Sequence, residues 1–266
     1  MDIPAHLAAL RRDGELLADA AGRIDHGARP PGCPAWQVAD VIRHLGLVHR
    51  WAAAAVRDGR ADSAVSTTDD GSGVEGAALV DWFRTGHAAL VRTLAEADPA
   101  VRCFTFLPAP SPLAFWARRQ AHETGIHRAD VEAAGGPVTP FPVEVALDGI
   151  DEMVGGFAAR RSRRPRPPSG EPERTLGLLP TDADEGWLAH VGADGSHPVR
   201  GVEPAAAAEC VLRGSASDLH LLLWNRLETR ALEVTGDAEV LQRWRKQVRV
   251  RWGGPGPRRA RPVRQG

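Results

Sequence analysis

The chain has 266 residues, 43% of them hydrophobic and 25% charged, with a formal net charge of −1. That describes a globular protein of one large or two ordinary domains; it excludes a disordered or fibrous chain and argues against a general nucleic-acid-binding surface. Three widely separated cysteines, Cys33, Cys103 and Cys210, argue against a disulfide framework.

The start of the chain lacks a basic-then-apolar leader, and no apolar run reaches the roughly 18 residues of a membrane helix, so a cytoplasmic protein is expected. Residues 1–157 read as helical. Leu7, Leu10, Leu16 and Leu17 mark an amphipathic first helix. The stretch "RPPGCPAW" (29–36) breaks it. "QVADVIRHLGLVHRWAAAAVRDG" follows with apolar residues at helical spacing and a closing glycine. A third helix is expected within 73–99, ended by Asp98-Pro99. A fourth is expected within 113–136, ended by a double glycine, and "PVEVALDGIDEMVGGF" suggests a fifth.

Composition then changes. Residues 158–173 are rich in Arg and Pro and read as a linker or exposed loop. Across 174–250, short alternating runs, a Ser-capped helix at "SASDLHLLLWNRL", a strand at "ALEVTG" and an Asp-capped helix at "DAEVLQRWRKQV" predict a smaller α+β domain. The stretch 251–266 reads as a disordered basic tail.

Candidate chemistry centres on "QAHETGIHRAD" (120–130). It resembles the His-Glu-x-x-His signature of zinc proteases, with one residue too many. On a helix, His122 and His127 lie about 140° apart and cannot clasp one ion together. Glu123 and His127, four apart, stack on one face. Arg119, one turn earlier, flanks that face, and Asp130 is placed to take the second ring proton of His127. The second helix carries His44 and His49, and either could supply a third ligand; Asp40, one turn before His44, is placed to orient it. Two imidazoles and a carboxylate suit catalytic zinc with an open position, and non-heme iron uses the same ligand types. Cys33, in its Pro-rich turn, reads as a structural thiol.

"CPAWQVADVIRHLGLVHRW" and "FWARRQAHETGIHRADVEAA" resemble the two signature helices of the mycothiol-dependent maleylpyruvate isomerase family. "GSASDLHLLLWNR" followed by "LEVTGDAEVLQRW" resembles that family's C-terminal domain. The resemblance spans roughly residues 4–247. It implies an α+β protein: a DinB-like four-helix bundle followed by a smaller sterol-carrier-like α+β domain. It also implies His44, Glu123 and His127 as metal ligands, zinc or another divalent metal as cofactor, and mycothiol as thiol cosubstrate. Arg226, which closes "LLLWNR", matches the arginine that this family places near its cleft, for catalysis and cosubstrate binding. Arg119 is a second candidate for binding carboxylates.

The implied activity is that of an isomerase or S-transferase whose metal-activated thiol attacks a small electrophile. Its partners would be that electrophile and a low-molecular-weight thiol, with no nucleic acid or membrane, in a monomer or weak dimer. The alternative is a non-catalytic metal- or small-molecule-binding regulator on the same fold.

Overall fold

In the computed structural model, residues 1–63, 69–159, 172–192 and 198–248 are described. The expected linker therefore falls largely, and the expected basic tail wholly, outside the described residues. Four long helices come first: α1 (Ile3–Ala21), α2 (Val38–Arg57), α3 (Gly76–Glu96) and α4 (Pro112–Ala133). Their starts follow from capping chemistry. The Asp2 side chain accepts from the Ala5 amide at 2.9 Å, and the Ser111 hydroxyl accepts from Ala114 at 3.1 Å with Pro112 opening the first turn of α4.

The start of α2 corrects one expectation. Asp40 does not orient His44; its carboxylate turns back to accept from the Gln37 amide at 2.9 Å. An acidic side chain in the first turn satisfies a donor that the helix itself leaves open, and that local bond holds Asp40 at the helix start.

Helix α4 is buried along nearly its whole length, although it carries Arg119, Gln120, His122, Glu123, His127, Arg128, Asp130 and Glu132. Charged groups rarely enter a core unless paired. Here they are: Arg128 donates to Glu132 at 2.7 Å and faces Asp13 of α1 at 3.4 Å, and Glu132 also accepts from the Thr139 amide. The central helix of the bundle is thus a column of ion pairs, and the site is one section of it.

The expected fifth helix is α5 (Val143–Asp151), which widens into a π-helical turn over Glu152–Ala158. A five-stranded sheet follows, ordered β3-β2-β1-β4-β5. Central β1 (Arg174–Pro180) pairs antiparallel with β2 (Trp187–Val191) and parallel with β4 (Cys210–Gly214). The edges are the two-residue β3 (Val199–Arg200) and β5 (Glu233–Gly236). Helix α6 (Val202–Ala206), not expected from the sequence, crosses between β3 and β4. Gly201 permits the break before it by adopting φ 139°. Helices α7 (Ala216–Leu223) and α8 (Ala238–Gln247) start at Ser215 and Asp237, the expected caps.

Alternation along β1 divides the core. Leu176 and Leu178, with Leu212 and Trp187, join the large cluster that also contains Trp116, Ile126, Ile150 and Leu222. Leu179 and Val211 face the other way, onto Ala205 of α6. A side chain at Gly177 would collide with the Ala205 carbonyl, so glycine is needed for α6 to lie on the sheet. The large cluster runs without a break from the bundle into the sheet, with α5 packed on α7 as its bridge. No described helix is long and apolar enough to cross a membrane.

Candidate metal centre

Helices α2 and α4 bring His44, Glu123 and His127 together, with one ligating atom of each within 4.8 Å of the others. His44 Nε2 lies 3.4 Å, and His127 Nε2 3.3 Å, from the same carboxylate oxygen, Glu123 Oε1. The second oxygen, Oε2, accepts from Arg119 Nη2 at 3.0 Å. Two imidazole nitrogens therefore converge on one oxygen while the other is held from behind. This donor set fits a divalent transition-metal ion.

The outer ring nitrogen of His127 is fixed as well. Its Nδ1 donates to Asp130 Oδ2 at 3.0 Å, the partner expected from the i, i+3 spacing. Asp130 in turn accepts from Arg226 Nε and Nη2 at 2.9 and 3.0 Å, while Arg226 Nη1 donates to the Trp224 carbonyl at 2.8 Å. A carboxylate behind the outer nitrogen fixes the tautomer that leaves Nε2 for a metal.

Burial alone would raise the Glu123 carboxyl. Hydrogen bonds from His127 and His44, with the Arg119 charge, outweigh it and hold the group well below the carboxylate range. Burial opposes charge on His127, yet Asp130 and Glu123 push it up to about 9. Asp130 is likewise held ionised against burial, chiefly by the Arg226 charge.

His49, the competing candidate on α2, is placed elsewhere. It lies wholly buried with Nε2 2.9 Å from Thr124 Oγ1, against Phe83 and His87. Burial, then the His87 charge, drives it well below the ordinary histidine value, so it is a neutral core side chain. His122 points away from the centre, as the helix geometry requires. Its Nε2 lies 2.7 Å from Asp148 Oδ2, which His6 also meets at 3.0 Å. These three have ligand spacing of their own. However, the same Asp148 oxygen accepts from Arg118 Nε at 2.9 Å, and its other oxygen faces the N-terminal amine at 3.4 Å. With those cations in place, Asp148 ties α1, α4 and α5 together.

A cavity of about 860 Å³ opens over His44, Glu123 and His127. Its wall comes from both halves of the chain: Trp36 and Cys33 from the loop before α2, Met153 from the π-helical turn, and Leu223, Trp224, Arg226, Arg245 and Lys246 from the second half. Trp36 is the contact that sequence reading missed. Its ring lies parallel to His127 (6.3 Å, 7°) and edge-on to His44 (5.0 Å, 69°). The signal for it was its place at the end of the Pro-rich turn, two residues before the first residue of α2. Cys33 is pushed up to about 12, first by burial and then by the Asp130 charge, so its thiol stays protonated. Of the two candidate arginines, Arg226 lines the cavity and braces Asp130; Arg119, 1% exposed, lies behind Glu123 and off the wall.

A model of the mycothiol maleylpyruvate isomerase N-terminal domain matches residues 4–132, and a model of the C-terminal domain of the same family matches residues 144–243. The chain belongs to that family. The family's second model begins within α5, the helix that packs on α7. A solved structure described as the mycothiol-dependent maleylpyruvate isomerase superposes on the chain with a TM-score of 0.62 at 14% identity, covering 88% of this chain and 93% of that one. A histidine-to-alanine mutant described under the same enzyme name gives 0.60 at the same identity and coverage. At that identity the likeness shows a shared fold. A search of curated proteins found no match.

Proposed function

We propose that this family member is a metal-dependent, thiol-using enzyme of the isomerase type, with zinc as the metal and mycothiol as the thiol. The observation that carries the reading is the convergence of His44, Glu123 and His127 at the base of a cavity walled by both halves of the chain. A divalent cation held by these three side chains would supply the charge that ionises an incoming thiol, the nucleophile for adding to, and later leaving, an activated cis double bond.

The chain's own residues supply the rest. Trp36 closes over both histidines and keeps water from the reacting sulfur. Met153, Ile126 and Leu223 make the apolar part of the wall. Arg226, Arg245 and exposed Lys246 place positive charge around the opening, where a carboxylate of the electrophile would bind. Arg226 also reaches the ligand set through Asp130, so substrate binding and His127 orientation share one guanidinium. Arg119 acts through Glu123 and not on the substrate.

The test is direct. The purified protein is assayed for metal content and for thiol-dependent cis–trans isomerisation of maleylpyruvate, beside a panel of activated alkenes and epoxides. Stoichiometric metal with thiol-dependent isomerisation is the expected result. Turnover of epoxides alone would make the protein an S-transferase. Tight metal binding without any turnover would leave the regulatory reading.

A further inference from the structure

Arg119 spans two carboxylates inside the protein. Its Nη2 donates to Glu123 Oε2 at 3.0 Å, and its Nη1 donates to Glu152 Oε2. Phe157 and Trp224 enclose the guanidinium, their ring centroids 5.1 and 5.3 Å from Cζ. Arginine and both carboxylates are buried. A charge so placed is costly unless its partners are fixed, and these partners come from three separate segments of the chain.

Glu152 belongs to the π-helical turn Glu152–Ala158, and the shape of that turn explains the arrangement. On an α-helix, residues five apart point about 140° away from each other. In a π-turn, where backbone bonds run from i to i+5, such residues return toward one face. Glu152 and Phe157 are five apart, and both meet Arg119. Met153, the next residue, lines the cavity. The widened turn thus grips the arginine and forms part of the cavity wall at once.

The consequence falls on Glu123. Its Oε1 faces both imidazoles while its Oε2 is held by Arg119. Were Arg119 free to leave, both oxygens could turn toward the imidazoles, and a carboxylate that binds a metal through two oxygens takes a position otherwise open to a second ligand. We propose that Glu152 is a positioning residue: by pinning Arg119 on Glu123 Oε2 it leaves a single carboxylate oxygen to the ligand set and so preserves room for the thiol. The inference rests on the metal-and-thiol reading above.

The experiment separates the two. The full chain and its Glu152→Gln variant are loaded with Co²⁺, their visible spectra recorded, and each is titrated with N-acetylcysteine while the sulfur-to-cobalt charge-transfer absorption is followed. A wild type that takes up no Co²⁺, or gains no such absorption, overturns both readings. If wild type binds metal and thiol, the expectation for Glu152→Gln is one equivalent of Co²⁺ still bound. Its d–d bands should be weaker, as higher coordination requires, and its affinity for N-acetylcysteine should fall about tenfold. A folded Glu152→Gln variant with the wild-type spectrum and thiol affinity overturns the role of Glu152. So does a variant whose metal affinity drops while its bound cobalt keeps the wild-type spectrum, since that is mere loss of structure. Should the Gln variant fail to fold, Glu152→Asp carries the test, because it keeps the charge one methylene short. A shift in the same direction supports the proposal, and a wild-type response ends it.

Discussion

Two histidines five residues apart on α2 illustrate how much one turn of a helix decides. His44 reaches Glu123 and the cavity; His49 reaches Thr124 and the core. His44→Ala and His127→Ala are therefore expected to purify without metal, whereas His49→Ala should keep a full equivalent and lose only stability; elemental analysis beside urea denaturation distinguishes these outcomes. A proton competes for the same site. His127 is raised from 6.5 to about 9, so its contribution to the stability of metal-stripped protein is full below pH 6.5 and is lost as the pH rises through 9. The denaturation midpoint of the stripped protein should fall across that window. Metal affinity should climb across it by up to about tenfold per pH unit as the competing proton leaves, which calorimetric titration would read. A flat affinity between pH 6.5 and 9 would contradict the assignment of His127 as a ligand.

At the scale of elements, α4 is the organising helix and α5 the bridge. Both rely on polar groups that a core accepts only when every charge finds a partner. Asp148 of α5 accepts from His6, Arg118 and His122, and the hydrogen bonds from His122 and His6, with the Arg118 charge, hold it far below the ordinary carboxylate range against the effect of burial. On its other face α5 presents Gly149, where a side chain would run into the His220 ring of α7. Gly149→Ala should therefore cost roughly 1–3 kcal/mol by overpacking the seam. A lowered urea midpoint with an unchanged slope is the expected reading, and an unaltered midpoint would mean that the seam yields freely.

For the molecule as a whole, the continuous apolar cluster matters more than the change in composition along the chain. Trp116 of the bundle, Ile150 of α5, Leu222 of α7 and Leu178 of the sheet belong to one core. Two family models divide the sequence, yet among the described residues that core spans both of the matched ranges. Scanning calorimetry should accordingly show one cooperative transition with equal calorimetric and van't Hoff enthalpies, and two resolved transitions would show that the halves unfold independently. Coupling of this kind suits a cavity whose His44, Glu123 and His127 sit in one half and whose Trp224, Arg226 and Lys246 come from the other.

Local physics made much of this legible in the sequence alone. The four long helices, the Ser215 and Asp237 caps, the pairing of Glu123 with His127 and the exclusion of His122 all follow from 3.6-residue periodicity and hydrogen bonds between near neighbours. Asp130 behind His127 followed for the same reason. Other features depended on segments distant in sequence. Helix spacing alone left His44 and His49 equal; the family resemblance favoured His44, and the packing of α2 against α4 brings His44 to Glu123 and His49 to Thr124. The bond that takes Asp40 from His44 is local, but a stronger claim on its side chain, the open amide at the helix start, decides it. Trp36 over the histidines and Glu152 on Arg119 required a loop and a π-helical turn to fold onto α4. Sequence spacing thus determined which side chains could share a helix face. Only the tertiary structure decided which of them meet, because a buried charge takes its partner from whatever segment the core brings within reach.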